Sequence, residues 1–250
     1  MSESNLVSII TPIWNNKIFT LQMMEYLYKN TDWPYELILI DNGSTDGSAE
    51  DITNFKFDIT GNLIKNAENR GFGPANNQGA KLARGVYLCF LNNDTIPTKG
   101  WLTEMVKLIQ SDKKIGVVGN KLLHPGRGTI QHAGVYEHGS GTPDHVYFNK
   151  PYDYPDANKV QEYFAVTGAC MLTPKALFLE LGGFDEEFRN GYEDIDYCNR
   201  LKEKGYKIMY TPKSVVYHYE SRTEGRYENE SVNWNRYMRK WVLDKNGSSN

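Results

Sequence analysis

Two carboxylates follow apolar runs in the first half of the chain. Asp41 comes directly after ELILI (36–40), and Asp94 comes after VYLCFL (86–91) and two asparagines. A carboxylate at the end of a buried strand can accept a hydrogen bond from a ribose hydroxyl or a nucleobase N–H, or it can bind Mg²⁺ or Mn²⁺. One such residue is more often an ordinary turn residue. Two of them at the ends of two strands of one sheet indicate a ligand site.

A second acidic group lies in GYEDIDYC, where Glu193, Asp194 and Asp196 fall in the first turn of a predicted helix. Acids at this position commonly interact with the helix dipole, which is worth about 0.3–1 kcal/mol for each charge. Carboxylates so close together also repel one another. If they are partly buried, they raise one another's pKa, which makes this group a candidate source of a general base.

Two further features suit an anionic ligand. The stretch ENRGFGPANNQG is rich in glycine, carries Arg70 and leads into a helix, although it lacks the spacing of known phosphate loops and fits a plain loop equally well. His218 lies near the end of the strand-like SVVYHY, where a single histidine is more often structural. The other histidines show no metal-binding spacing, so no zinc site is predicted: His124, His132, His138 and His145.

Apolar and amphipathic stretches alternate in the first half and predict the scaffold that positions these residues. Strands are predicted at 6–14, 36–40, 62–66, 86–91 and 115–123, and helices at 17–30, 73–85 and 98–110, with a short helix through Asn54 that Ser44 or Asp46 caps. This alternation predicts a mostly parallel sheet flanked by helices, which binds ligands beyond the carboxyl ends of its strands. The polar clusters TPIWNN, DNGSTDGS, NAENRGFG and NNDT should therefore meet at one edge.

The second half is less regular. Residues 124–160 predict a loop with short strands, and the following elements are a strand at 163–174, helices at 175–184 and 190–206, and two short strands, KIMYTP and SVVYHY. Residues 228–243 predict a helix that packs on the core. Binding to a membrane surface is left open, because Arg236, Arg239 and Lys240 flank its aromatic residues. The tail KNGSSN is expected to be disordered.

The composition is that of a globular chain, with 250 residues, 40% hydrophobic and 24% charged. A net charge of -3 disfavours nucleic-acid binding without excluding a local basic groove. The three widely separated cysteines predict buried, reduced thiols. The opening MSESNLVSIITP lacks the features of a signal peptide, and no apolar run approaches the roughly 20 residues of a membrane span. We therefore expect a soluble, cytoplasmic protein.

These stretches together resemble the family-2 glycosyltransferases of the GT-A fold. The resemblance runs from about Val7 to Ser221 and is carried by TPIWN, LILIDNGSTDGS, NAENRGFGPANNQG, LNNDT, VTGACML, GGFDEEF, GYEDIDYCNRL and VVYHYES. IQHAGVY followed by VTGACML is most similar to bacterial enzymes that build O-antigen, capsule and related surface polysaccharides. The resemblance implies a single α/β domain over 1–250 with a Rossmann-like, mostly parallel central sheet and a smaller mixed sheet on the acceptor side. Residues 6–123 would bind the nucleotide sugar, 124–227 the acceptor, and 228–250 would form a C-terminal helix and tail.

The implied activity is the inverting transfer of a hexose or deoxyhexose from a UDP-, dTDP- or GDP-sugar to a glycan or lipid-linked oligosaccharide, with Mg²⁺ or Mn²⁺. The resemblance implies these donor contacts: Asp41 with the nucleobase or ribose; Trp14, where the family more often has Tyr, stacked on the base beside Thr11 and Pro12; Arg70, Gly71 and Asn77 with the nucleotide and its phosphates; Asn92 and Asn93 with the donor; and Asp94 and His218 with the metal. A cation and Arg70 would neutralise the leaving diphosphate.

On the acceptor side, the resemblance implies that Asp194 is the general base and that Glu193 contacts the acceptor or the sugar. Gly168, Ala169 and Cys170 would form part of the acceptor wall. An inverting displacement needs its base on the face opposite the leaving group, so Asp194 and Asp94 are expected on opposite sides of the sugar.

One position departs from the family pattern, because Asn92 replaces the first acid of the common DxD triplet. An amide can still hold a ribose hydroxyl but binds a cation less well, so metal dependence is expected to rest on Asp94. Two other functions are compatible with parts of the sequence. A nucleotidyltransferase is disfavoured because TPIWNN lacks the glycines of its phosphate loop. A catalytically idle sugar-binding or scaffold subunit is disfavoured by the intact acidic positions, and it stays the alternative.

Overall fold

Strands from both halves of the chain join one central sheet. A computed structural model describes residues 5–55, 61–220 and 228–243. Its strands are β1 Val7–Ile13, β2 Tyr35–Asp41, β3 Gly61–Lys65, β4 Tyr87–Leu91, β5 Thr95–Pro97, β6 Ile115–Leu123, β7 Ile130–His132, β8 Val135–Glu137, β9 Pro143–His145, β10 Gln161–Glu162, β11 Cys170–Pro174 and β12 Lys207–His218. Its helices are α1 Lys17–Asn30, α2 Ser48–Thr53, α3 Phe72–Leu82, α4 Trp101–Ser111, α5 Lys175–Glu180, α6 Glu193–Glu203 and α7 Glu230–Met238. A 3₁₀ turn covers Pro155–Asn158, and a π-helical turn, Arg239–Leu243, follows α7.

The order of the strands explains how the polar clusters meet. The sheet runs β10-β12-β6-β11-β4-β1-β2-β3, with β5 beside β12 and β7 beside β6. Strands β3, β2, β1 and β4 are parallel, so Ile13, Asp41 and Lys65 end level with one another. The predicted α/β class is confirmed. The smaller sheet is a two-stranded antiparallel ribbon, β8 and β9, and not a mixed sheet.

The antiparallel strand β11 brings the second half of the chain to the same edge. It lies between β4 and β6, and its first residue, Cys170, pairs with Leu91, the last residue of β4. The backbone N–H of Asn92 donates to the carbonyl oxygen of Ala169 at 3.0 Å. Because β11 runs against its neighbours, the residues before it lie beside the polar residues after β4.

Both faces of the sheet are covered by helices. One core packs α1 and α4 against the sheet through buried side chains such as Met23, Leu27 and Trp101. The other packs α3, α5 and α6 through residues such as Phe178 and Tyr197. The three cysteines are buried and free, as predicted. Within the described ranges, no helix combines the length and the apolar character needed to span a membrane.

Several element boundaries differ from the sequence prediction for identifiable reasons. KIMYTP and SVVYHY form one strand, β12, which is interrupted by a shift in register between Thr211 and Val215. Helix α4 begins at Trp101 and not at residue 98, because the N–H of Thr98 donates to the carbonyl oxygen of Val215 and Gly100 is left-handed, with a φ of 77°. The N-cap of α2 is Gly47, while Asp46 accepts the backbone N–H groups of Ser48 and Lys17 and so holds the starts of two helices. The tail KNGSSN lies outside the described residues.

A buried carboxylate near the start of β2, at the end of the strand opposite the polar clusters, allows a prediction about stability. Glu36 accepts hydrogen bonds from the Ser8 hydroxyl at 2.6 Å and from the backbone N–H and Nε of Arg84 at 2.6 and 2.8 Å. Burial raises the pKa of this carboxyl, but these bonds outweigh burial and lower it below its ordinary value. The stabilisation is therefore present above the ordinary carboxyl pKa and is lost as the pH falls through the lowered value.

Glu36→Gln should reduce the free energy of unfolding at neutral pH by about 1–3 kcal/mol, since buried donors lose a charged partner. The difference from wild type should shrink in acid, as measured by urea unfolding across a pH series. Glu25→Gln, which removes a partly exposed charge paired with Lys29, should change stability by less than about 1 kcal/mol. Equal losses of unfolding free energy in the two variants would contradict the stabilising role of the buried Glu36 carboxylate.

Candidate functional site

A cavity of about 360 Å³ opens at the carboxyl edge of the sheet. Both halves of the chain contribute to its wall. The predicted site residues that line it are Pro12, Trp14, Gly71, Asn92, Asn93, Asp94, Gly168, Ala169, Glu193, Asp194 and His218. Those outside the wall are Thr11, Asp41, Arg70, Asn77 and Cys170. The parallel strands therefore bring together most of the residues that the sequence singled out.

Asp94 and His218 face each other because β5 pairs with the end of β12. His218 is opposite Thr95 in this pairing, and the N–H of Tyr219 donates to the carbonyl oxygen of Asp94 at 3.0 Å. Asp94 Oδ1 lies 3.0 Å from His218 Nε2, and both side chains are buried. The amide nitrogen of Asn92 lies 3.3 Å from the same His218 nitrogen.

Gln131 fixes the orientation of the His218 ring. Its amide nitrogen donates to the carbonyl oxygen of His218 at 3.3 Å and to Glu220 Oε2 at 3.0 Å, so its amide oxygen faces His218 Nδ1 at 2.7 Å. Nδ1 therefore donates to Gln131, and Nε2 is directed toward Asp94. Gln131 stands in the IQHAGVY stretch, but its residue type alone did not indicate a role in the site.

This arrangement fits a divalent cation. A carboxylate oxygen suits Mg²⁺ and Mn²⁺, and an imidazole nitrogen whose other nitrogen is hydrogen-bonded suits a transition-metal ion such as Mn²⁺. The parts of the chain that the structure describes contain no cluster of three or more His, Cys, Asp or Glu side chains able to hold a metal ion. The protein would thus supply Asp94 and His218, and oxygens of a substrate and water would complete the coordination.

A network of amides shapes the side of the cavity near Trp14. The Asn42 amide donates to Asn69 Oδ1 at 3.3 Å and to the carbonyl oxygen of Gly71 at 3.2 Å. Asn69 Oδ1 also accepts the N–H of Gly71 at 2.9 Å. Asn42 and Asn69 line the cavity, whereas Asp41 is buried behind it and accepts the N–H of Ser44 at 2.9 Å. The polar wall here is thus built by the amides of Asn42 and Asn69, which were not among the predicted site residues.

The other predicted residues outside the wall have different surroundings. The Thr11 hydroxyl is buried without a hydrogen-bond partner, and Arg70 is exposed. Asn77 donates to the carbonyl oxygen of Phe184 at 2.8 Å and accepts its N–H at 2.8 Å, so this amide joins α3 to the turn after α5. Burial, with Cys89 beside it, raises the pKa of the Cys170 thiol well above its ordinary value. Neither Asn77 nor Cys170 presents its side chain to the cavity.

The acidic pair begins helix α6 on the opposite half of the wall. Asp194 Oδ2 accepts the N–H of Gly168 at 2.7 Å, and Oδ1 accepts the N–H of Ile195 at 2.8 Å. Glu193 is buried, and its Oε2 accepts the N–H of Gly191 at 2.6 Å. A Cβ at Gly168 would lie 3.2 Å from Cε1 of Phe72, so glycine leaves room here for the Phe72 ring.

Asp196, the third acid of this turn, has a structural role. It is fully buried and accepts hydrogen bonds or ion pairs from Arg200 Nε at 2.8 Å, Lys240 Nζ at 2.8 Å and Trp241 Nε1 at 2.9 Å. Lys240 also pairs with Asp185 at 2.7 Å. The C-terminal segment therefore packs on the fold, as predicted, and Lys240 is engaged there.

A pair of histidines in the cavity wall was also missed. His132 Nδ1 lies 2.9 Å from His145 Nδ1, because β7 and β9 bring the two rings together. Complete burial, and then the neighbouring His145 and His218 rings, lower the pKa of His132 well below its ordinary value. His132 is therefore neutral near neutral pH. The separation of the two histidines along the chain gives no signal that could have revealed this contact.

Most of the chain is similar to known proteins. The profile described as Glycosyl transferase family 2 matches residues 8–181, and that described as N-terminal domain of galactosyltransferase matches residues 153–223. The O-antigen biosynthesis protein RfbC of Myxococcus xanthus is 33% identical over 224 residues, which are 86% of this chain and 17% of RfbC. The uncharacterized protein y4gI of Sinorhizobium fredii is 31% identical over 237 residues, 90% of this chain and 26% of y4gI. The chain therefore spans only a part of these two relatives.

A solved structure shares the fold. The mannosyltransferase PcManGT of Pyrobaculum calidifontis, in complex with GDP-Man and Mn²⁺, matches with a TM-score of 0.71 at 19% identity. The match covers 94% of this chain and 64% of PcManGT.

Proposed function

The chain belongs to glycosyl transferase family 2, and from this premise we propose that it transfers a sugar from a nucleotide-diphosphate donor to a glycan hydroxyl, with inversion at the anomeric carbon. The observation that carries the proposal is that one cavity holds both the Asp94–His218 pair and the Glu193–Asp194 pair. The first pair suits a cation at the diphosphate, and the second suits proton transfer at the acceptor.

The reaction needs one displacement at the anomeric carbon. The acceptor oxygen forms the new glycosidic bond while the bond from that carbon to the phosphate oxygen breaks, and the electron pair leaves with the nucleoside diphosphate. Asp194 takes the proton of the acceptor hydroxyl. Asp94 and His218 would hold Mg²⁺ or Mn²⁺, which would neutralise charge on the leaving diphosphate. Asp94 and Asp194 lie on opposite sides of the sugar in this proposal.

The remaining donor contacts follow the same proposal. Trp14 and Pro12 form the wall for the base, Gly71 and Arg70 lie near the nucleotide, and Asn92 and Asn93 hold the donor. PcManGT, which was solved with GDP-Man and Mn²⁺, supports a donor of this class. The likeness to RfbC supports an acceptor in surface-polysaccharide synthesis. The acceptor would then be a growing glycan on a lipid carrier at the cytoplasmic face of the membrane.

Nucleotide binding gives the first test. UDP, GDP and dTDP, each with and without Mn²⁺, are screened for their effect on thermal unfolding, with Mn²⁺ alone as the control. At least one of them should stabilise the native state in the presence of Mn²⁺, by about 2.7 kcal/mol at a hundred times its Kd. The absence of any shift would overturn the proposal.

Turnover separates the enzyme from the idle subunit. The matching nucleotide sugars are incubated with the protein and Mn²⁺, and release of the nucleoside diphosphate is measured. The proposal expects release from at least one donor. Binding without release from any donor would favour a catalytically idle nucleotide-sugar-binding or scaffold subunit.

A further inference from the structure

The turn before the acidic pair has an uncommon backbone conformation. Asn190, Gly191 and Tyr192 have φ angles of 56°, 152° and 72°. A left-handed φ is unfavourable for residues with a side chain, and such turns persist only where the surroundings hold them. Glu193 follows this turn directly. The conformation of the turn therefore sets where helix α6 begins and where the carboxylates of Glu193 and Asp194 point.

Three contacts inside the site depend on this turn. The N–H of Gly191 donates to Glu193 Oε2 at 2.6 Å, and Asn190 Oδ1 accepts the N–H of Phe72 at 3.1 Å. The N–H of Gly168 donates to Asp194 Oδ2 at 2.7 Å. A change in the turn would therefore move the acidic pair relative to both the donor loop and the Gly168 wall.

Helix α7 holds the turn through Asn233, which also lines the cavity. Asn233, which is 2% exposed, accepts the N–H of Arg189 with Oδ1 at 3.1 Å and donates from Nδ2 to the carbonyl oxygen of Arg189 at 2.8 Å. Both ends of its amide are thus used on the residue that precedes the turn. The Tyr192 ring packs against Trp234 and Tyr237, with centroid distances of 6.2 and 5.3 Å.

We propose that Asn233 is a positioning residue for sugar transfer, which fixes the Asn190–Tyr192 turn and thereby the Glu193 and Asp194 carboxylates. The inference rests on the proposed function of that pair. Helix α7 lies beyond the residues that either family profile matches, 8–181 and 153–223, so family membership assigns no role to it. The π-helical turn after α7 adds a second attachment, since Lys240 and Trp241 bind Asp196 of α6.

The test replaces Asn233 by alanine and measures kcat, the KM for the donor, and the Kd of the nucleoside diphosphate. Asn233→Ala should lower kcat by roughly 10- to 100-fold, because small misplacement of reacting groups has effects of that size. The nucleotide Kd and the donor KM should stay within about twofold, since the nucleotide wall is built elsewhere. The exposed Asn235 lies on the same helix, and Asn235→Ala is the matched control that should behave as wild type.

A second variant and a second measurement test whether Asn233 acts through its hydrogen bonds to Arg189. Asn233→Asp has the shape of the native side chain and still accepts the Arg189 N–H, but it cannot donate to the Arg189 carbonyl, so it too should lower kcat. Amide hydrogen exchange at Gly191 should be faster in both Asn233 variants and unchanged in Asn235→Ala. Exchange is independent of turnover, so it tests the inference even if the wild-type chain transfers no sugar and the proposed function fails.

Two results would overturn the inference. One is a wild-type kcat with unchanged exchange at Gly191 in a folded Asn233 variant. The other is a parallel loss of kcat, nucleotide affinity and thermal stability, which would make Asn233 a general stabilising residue.

Discussion

Replacing Asp194 by asparagine is expected to lower kcat for sugar transfer by about 10²- to 10⁴-fold, the range that positioned general bases contribute. A carboxamide has nearly the same shape as the carboxylate but does not accept the proton of the acceptor hydroxyl. Asp194 lies in the cavity wall, where the N–H groups of Gly168 and Ile195 hold its oxygens at 2.7 and 2.8 Å. Nucleotide binding, measured by calorimetry, should be retained.

The matched control is Asp156→Asn. Asp156 is an exposed acid that pairs with Lys159 at 2.7 Å, away from the cavity. This variant should keep the wild-type kcat. Wild-type turnover by Asp194→Asn on the same acceptor would remove the base assignment, and a loss of nucleotide affinity equal to the loss of kcat would point to a disturbed fold.

Replacing Asp94 by alanine is expected to abolish metal-stimulated activity. Asp94 is the acid of the Asn92–Asp94 triplet and faces His218 Nε2 at 3.0 Å, so its loss leaves the cation with one protein ligand of the proposed pair. Metal ions commonly supply several kcal/mol of transition-state stabilisation, which corresponds to a loss of about 10³-fold. The measurement is the initial rate as a function of Mn²⁺ concentration.

The neighbouring Asn92→Ala variant is the comparison for Asp94→Ala. The Asn92 amide lies 3.3 Å from His218 Nε2, and an amide binds a cation less well than a carboxylate. Asn92→Ala should therefore raise the donor KM while activity still responds to Mn²⁺. Equal and mild losses in both variants would mean that this stretch only ends strand β4.

The convergence of the polar clusters could be predicted from sequence because it follows from strand direction. Alternating strands and helices make the first strands parallel, so the residues after β1, β2 and β4 must share one edge of the sheet. That Trp14 lies near Asn92, Asn93 and Asp94 can therefore be predicted without knowing any side-chain contact. The local pattern of strands and helices is sufficient to predict that these residues share the cavity.

Contacts between distant segments could not be predicted in this way. Asp194 and Asp196 are two residues apart in the same helical turn, but one lines the cavity and the other is buried against Lys240 and Trp241. Asn77 looks like a ligand residue in a glycine-rich stretch, and its amide instead holds Phe184. Residue type and spacing do not distinguish a side chain that lines the cavity from one that is buried in the fold. Only the packing of a remote segment decides which of the two it is.

The anomeric configuration of the first-formed product distinguishes a single displacement assisted by Asp194 from a mechanism that retains configuration. A nucleotide sugar that the protein consumes with Mn²⁺ is followed by proton NMR from the start of the reaction. A single displacement assisted by Asp194 predicts that the glycoside, or the free sugar released to water, first appears with the configuration opposite to that of the donor. First appearance with the configuration of the donor would rule out the single displacement.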